Sequence, residues 1–352
     1  MKSNDAQMPV KEKKLPLSNT TILLTITICT FAAMYIFGMV LWGGGFLNPQ
    51  QFFDIINNNA YLIIISCALT VVMITGGIDI SVGGSIALIT MASVVFMEDF
   101  NGGILSSLLI SLGIGLTMGL LQGFLVAYLN IQPFIVTLAG MFFTRGMTTI
   151  ISSIPRTATN EVFLKVKEFT LNLPIIGHTA KNGTFIPTYC EIGFFIAIAV
   201  VIIMWAVLKW TRFGRNLYAV GGNSESALML GINVQRTKFF AYLLCGLLAG
   251  IAGFVYLLHT GAGNYSNASG AEMEAIASSI IGGTLLTGGV GSVIGTFFGV
   301  LSLKTINIMV IASGLREPYW QKITIGLMLC LFILLQSIIL SARKKKLGMS
   351  AS

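Results

Sequence analysis

Residues 75–85, TGGIDISVGGS, place four glycines, one aspartate and two serines between two apolar runs, YLIIISCALTVVMI at 61–74 and IALITMASVVF at 86–96. Each run is short for a bilayer, which takes about 17–25 apolar residues to cross as a helix. In hydrocarbon every backbone N–H and C=O must be satisfied internally. Irregular backbone therefore survives there only when buried in protein or lining a water-filled cavity. A broken helix carrying a carboxylate at that depth points to a transport pathway and away from a simple anchor.

Composition supports a membrane setting. The chain is 55% hydrophobic and 10% charged, against about 25% charged residues in an ordinary soluble domain. The net charge of +8 is concentrated. Lys2, Lys11, Lys13 and Lys14 precede the first apolar run, and Arg343, Lys344, Lys345 and Lys346 follow the last. Basic clusters flanking spans mark cytoplasmic segments, so they require no nucleic-acid partner. The five cysteines (Cys29, Cys67, Cys190, Cys245, Cys330) show no metal-ligand or disulfide spacing and read as packing residues. The run at 20–42 exceeds a signal peptide's apolar core and lacks a small-residue cleavage site, so it is expected to stay as a helix.

The pattern predicts an all-α integral membrane protein with about ten spans, near 20–42, 59–75, 80–97, 104–129, 133–153, 189–209, 237–258, 272–287, 291–312 and 319–341. An even count puts both termini in the cytoplasm, with basic tails at 1–19 and 342–352 around one transmembrane domain at 20–341. It also makes 210–236 a cytoplasmic loop, and its Arg212, Arg215 and Arg236 agree. The longest external segment, 154–188, carries Arg156, Lys165, Lys167 and Lys181 and includes a short helical phrase, NEVFLKVKEF. Glycines at helix-packing spacing (Gly115/Gly119/Gly123, Gly246/Gly250 and Gly291/Gly295/Gly299) read as internal packing sites. A second glycine-rich interruption, IGGTLLTGGVGS at 281–292, pairs with the first and suggests a path between two halves.

Enzyme motifs are missing: there is no phosphate-binding G-x-x-x-x-G-K-[ST] loop, and His178 and His259 have no ligand pattern around them. The loop at 211–238, TRFGRNLYAVGGNSESALMLGINVQRTK, does contain a compact helical phrase. Asn223 or Ser224 can cap it, Glu225 sits where the helix dipole favours an anion, and Gly231 ends it. Ala227, Leu228 and Leu230 give it an apolar side, suited either to another protein's groove or to lipid headgroups.

The phrase Glu225-Ser226-Ala227-x-x-x-Gly231 resembles the E-A-A-x-x-x-G coupling loop of ABC-importer permeases. GRNLYAVGGN before it resembles the same loop in the sugar branch of that family, which includes ribose, xylose and galactofuranose permeases. TGGIDISVGGS is similar to that branch's GGIDLSVGS signature. QPFIVTLAGMFFTRG at 132–146 and IASSIIGGTLLTGGVGSVIGTFFGV at 276–300 are most like the galactofuranose type. Two positions depart from the pattern: Ser226 for alanine, and Gly84 where a serine is usual. The resemblance implies a bacterial inner-membrane permease without cofactor. Its partners would be a cytoplasmic ATPase, an extracytoplasmic sugar-binding protein and a second permease subunit, identical or paralogous. Gly222, Asn223, Glu225, Ala227 and Gly231 would couple it to the ATPase.

Asp79, Ser81, Thr137, Gly283 and Thr284 are the candidate pathway or gate residues. For Asp79 the favoured role is a cap at the start of the re-entering helix. Arg145 is expected to snorkel to headgroups or pair with a carboxylate, Lys304 to join a buried pair, and Phe142 and Phe143 to face lipid or core. The alternatives are a cation-coupled secondary transporter working through Asp79, or an ABC permease for another polar cargo such as a nucleoside.

Overall fold

The structure is a computed structural model that describes residues 19–43, 45–179 and 185–346. The basic tail with Lys2, Lys11, Lys13 and Lys14, and Lys181 of the long loop, lie outside the described residues. The elements run in chain order: α1 (Asn19–Trp42), α2 (Pro49–Asn58), α3 (Ala60–Ile74), α4 (Val82–Asp99), α5 (Ile104–Ala127) and α6 (Pro133–Ile151). β1 (Arg156–Thr157), α7 (Glu161–Lys167), β2 (Thr170–Thr179), β3 (Phe185–Glu191), α8 (Ile192–Trp210), α9 (Arg212–Gly222) and α10 (Ser224–Met229) come next. α11 (Val234–Thr260), β4 (Ala262–Gly263), α12 (Ala271–Ile281), α13 (Val293–Ala312) and α14 (Pro318–Lys346) complete the chain.

Each of the ten expected segments contains a helix, but ten is not the number of full spans. Among the described residues eight helices are long and apolar enough to cross a membrane, and α2 with α3, bent by 59°, makes a ninth if the pair is one span. The expectation fails at 272–287. There α12 has only 11 residues, about 16 Å at the α-helical rise. Its glycine- and threonine-rich continuation is apolar enough to read as span but leaves the helix at Gly282. The long loop adds an antiparallel hairpin, β2 with β3, and α7 forms where the helical phrase was expected.

α3 is the centre of the molecule. Every residue from Leu62 to Ile74 is fully buried, as a helix apolar on all sides requires. α8, α11, α12 and α13 surround it. Hydroxyls tie it in place: Thr70 Oγ1 lies 2.6 Å from Thr296 Oγ1 and donates to Ser279 Oγ at 3.2 Å. Ser279 in turn donates to the Ser66 carbonyl. In a medium without water these bonds supply orientation that apolar contact alone does not.

The glycine ladders act as internal seams. α5 and α11 make the most extensive helix pair, and their glycines face each other. A Cβ on Gly246 would collide with the Gly115 carbonyl and stand 2.7 Å from Gly119 Cα. Gly295 and Gly299 do the same for α13 against α12, where added methyls would meet the carbonyls of Gly282 and Ser278. Gly246→Val is therefore expected to destabilise the fold by about 1–3 kcal/mol through overpacking. It should lower the unfolding midpoint in detergent. Gly113→Val, at a position with nothing within 4 Å of its Cβ, should leave the midpoint unchanged.

Candidate translocation and coupling site

The first break spans residues 75–81. α3 stops at Thr75, whose hydroxyl turns back to the Val72 carbonyl at 2.7 Å, and Gly76 takes φ +81°. Extended backbone then leads to α4. Asp79, 2% exposed, accepts the Ser81 N–H at 2.9 Å and the Ser81 hydroxyl at 2.7 Å on Oδ1, and the Cys245 thiol at 3.4 Å on Oδ2. The carboxylate thus closes an Asx turn on Ser81, one residue ahead of α4. It does not cap the first helical turn as the sequence suggested. Gln122 of α5 donates to Ser81 Oγ at 2.7 Å, and Thr137 of α6 shares its hydroxyl between the Ile78 carbonyl at 3.2 Å and its own helix at Pro133, 2.9 Å. Asp79, Ser81 and Thr137 therefore meet in one buried polar knot that joins the break to α5, α6 and α11.

Two glycines set how closely neighbours approach the restart of the helix. A Cβ at Gly84 would collide with Thr144 Oγ1 and lie 3.1 Å from the Met141 carbonyl, so serine does not fit there without moving α6. Gly83 leaves room for the Glu272 carboxylate. Glu272 is 8% exposed, and its Oε2 has no hydrogen-bond partner among the described residues. Arg145 forms no ion pair within 4 Å among the described residues, although the Glu272 carboxylate lies close enough to act on its charge. The guanidinium donates to the carbonyls of Tyr265 (2.8 Å), Asn267 (2.7 Å) and Ala268 (3.2 Å), pinning the loop that leads into α12. Lys304 pairs with Glu274 at 2.6 Å, half-buried rather than fully buried. Phe142 and Phe143 are exposed on the surface of α6.

The second break, residues 282–292, holds Gly283 at φ +91° and Thr284, whose buried hydroxyl has no partner among the described residues. These two do not join the Asp79 knot. Gly283 packs on Leu23 of α1, and Thr27 of α1 donates to the neighbouring Ile281 carbonyl at 2.9 Å. The two breaks meet instead through backbone. Gly289 N–H donates to the Ile74 carbonyl, the end of α3, at 2.9 Å. α9 reaches the same point: a Cβ on Gly221 would collide with that carbonyl, and one on Gly289 would stand 2.9 Å from Gly222 Cα. Tyr218 of α9 fixes the approach by donating to the Gly291 carbonyl at 2.9 Å. Burial pushes its phenol up to about 12, so it stays a donor at any physiological pH.

From that junction the chain turns into α10. Asn223 Oδ1 accepts the Ser226 N–H at 2.7 Å, so Asn223, and not Ser224, is the cap. Glu225 sits in the first turn, and Gly231 at φ +80° ends the helix while its N–H bonds the Leu228 carbonyl. Ala227 is buried, but Leu228, Met229 and Leu230 are 65%, 87% and 79% exposed. Three consecutive apolar side chains bared beside an acid form a patch that water disfavours.

Comparison with known proteins fixes the family. Residues 51–333 match the family described as branched-chain amino acid transport system / permease component. The chain belongs to this family. It is a multi-pass membrane protein and a transport component, not an enzyme, and membership implies a separate ATPase and a binding protein as partners. The chain is 36% identical to the inner membrane ABC transporter permease protein YjfF of Escherichia coli K12, over 89% of this chain and 91% of that one. It is 34% identical to the fructose import permease protein FruG of Bifidobacterium longum, over 96% and 97%. It is 32% identical to the ribose import permease protein RbsC of Escherichia coli K12, over 83% and 87%. No solved structure matches.

Three residues in these contacts escaped the sequence reading. Gln122 is a lone amide in a long apolar helix, a signal that was available. Cys245 and Glu272 acquire their roles only through the fold. His259, expected to lack a partner, lies 2.9 Å from Glu191 Oε2. Ser81→Ala strands the Gln122 amide, at a cost of about 1–3 kcal/mol for a buried group without a partner, and removes the hydroxyl bond to Asp79 Oδ1, which keeps the backbone N–H of residue 81. The unfolding midpoint of Ser81→Ala is therefore expected to fall well below that of Gln122→Met, which leaves the Asp79–Ser81 bonds intact.

Proposed function

We propose that this chain conducts a sugar across the bacterial inner membrane as the permease subunit of an ATP-driven importer. An extracytoplasmic binding protein would deliver the cargo, and a second permease subunit, identical or paralogous, would complete the path. The family's own label names branched-chain amino acids. The fructose and ribose permeases, similar over more than four-fifths of the chain, favour a sugar. In this reading both termini are cytoplasmic, 20–341 is one permease domain, and 210–236 is its coupling loop.

The observation that carries the coupling role is the seat of α10. A capped turn bares Leu228, Met229 and Leu230 while its base is fastened through Gly221 and Gly222 to both helix breaks. Gly222, Asn223, Glu225, Ala227 and Gly231 would form the part that docks in the ATPase, with Ala227 anchoring the turn and Glu225 offering charge. Nucleotide-driven motion of the ATPase would then reach Ile74 and Gly289 by rigid contact, a switch between discrete packed states. Asp79, Ser81 and Thr137 would form one wall of the gate, and Gly283 and Thr284 the other.

Uptake into vesicles holding the complete transporter tests the cargo. Radiolabelled ribose, fructose or galactose should accumulate only with ATP and the binding protein, and leucine should not. Leucine uptake in place of sugar uptake would reverse the cargo assignment. Glu225→Arg is expected to reduce ATPase co-purification at least tenfold without changing the amount of permease in the membrane. Unchanged co-purification would remove the loop from the interface.

A further inference from the structure

A cleft of about 170 Å³ opens beside the first break, between Gly76 and Gly77, the start of α6 at Gln132 and Pro133, and Lys238 and Tyr242 of α11. Its chemistry has one sign. α6 is a 19-residue helix whose N-cap, Gln132, makes no side-chain capping bond, and its first turn holds no acid. Pro133 has no N–H and the Ile135 and Val136 N–H groups bond the Gln132 carbonyl, so this end offers an anion the Phe134 N–H and the positive end of the helix dipole. Lys238 makes no ion pair among the described residues. Tyr242 is 1% exposed, yet among the described residues its hydroxyl has no hydrogen-bond partner; it lies so close to Gly77 that a Cβ there would collide with it. No acid lines the cleft. Asp79, two residues beyond Gly77, turns its oxygens to Ser81 and Cys245.

A buried phenol without a partner is costly unless something binds it. Here the missing partner must accept a hydrogen bond, carry negative charge and reach three elements at once. At about 30 Å³ per water the cleft holds roughly five waters, room for a tetrahedral oxyanion with part of its hydration. Several acceptor oxygens spread around one centre suit donors that converge from a helix end, an ammonium and a phenol.

We propose that this cleft binds a phosphate group, supplied by a soluble phosphate or by a lipid headgroup. The α6 N-terminus and Lys238 neutralise it, and the Tyr242 hydroxyl orients it. Bound there, it bridges α6 and α11 across the start of the first break and holds that break in one arrangement. The binding itself does not depend on the transport reading and is measured without transport.

The purified full chain is placed in nanodiscs of zwitterionic lipid, and its unfolding midpoint is followed against inorganic phosphate at constant ionic strength, with chloride as the reference. A ligand that binds the folded state raises the midpoint in a saturable way. Phosphate should do so and chloride should not, and Lys238→Gln and Tyr242→Phe should each weaken the apparent affinity at least fivefold. Lys209→Gln, on a residue outside the cleft, should leave it unchanged. A second arm replaces part of the lipid with phosphatidylglycerol. Stabilisation that appears only in this arm and needs Lys238 assigns the site to a headgroup; stabilisation by phosphate in both arms assigns it to a soluble ligand. If neither arm shows a saturable rise, or if the rise survives both Lys238→Gln and Tyr242→Phe, the cleft is not a phosphate site.

Discussion

The Ile74 carbonyl is the point on which the two halves of this permease depend. It ends a fully buried helix, and the last carbonyls of any helix lack partners within it. In a water-poor interior such a group must find a donor or cost several kcal/mol. The donor is Gly289 of the second break, at 2.9 Å. One interruption of helical order thus satisfies the other. Glycine is required at both edges. Gly289 takes φ +74°, which L side chains rarely adopt, and Gly221 brings α9 so close to the same carbonyl that no Cβ fits.

This arrangement explains how the protein tolerates irregular backbone at its centre. The first break is held on one side by side chains, through Asp79, Ser81, Gln122 and Thr137, and on the other by backbone, through Gly289. The second break is held by α1, through Thr27 and Leu23, and by the end of α3. In the proposed reading α9 and α10 form the coupling arm; they are continuous with the junction, so a force applied at α10 has a direct path to both breaks. Apolar packing elsewhere, including the glycine seams between α5 and α11, keeps the surrounding helices rigid enough for that path to matter.

Much of this was legible in the sequence because it depends on local chemistry. TGGIDIS at 75–81 interrupts the helix before VGGS restarts it as α4, and Asn223 with Gly231 marks a turn that starts and stops. The glycine spacings announced close helix contact. Their partners were not legible, since glycine against backbone carries no side-chain signature that pairs one segment with another. The same limit hid the junction itself. The bonds of Arg145 were not legible because carbonyls of a distant loop leave no charge pattern to read. α12 was read as a full span because glycine and threonine in its continuation are apolar enough to pass for helix. Gln122 was within reach, as a lone amide inside a bilayer helix asks for a partner.

The central claim is that the coupling arm drives the breaks through the contact between Gly221 and Ile74. The direct measurement is cargo uptake and ATP hydrolysis by the assembled transporter in vesicles carrying Gly221→Ala. The added methyl wedges α9 from the Ile74 carbonyl and leaves α10 untouched. The ATPase should therefore still co-purify and still hydrolyse ATP, while uptake falls at least tenfold. Uptake at the wild-type rate, with the same ATPase content, would contradict the account.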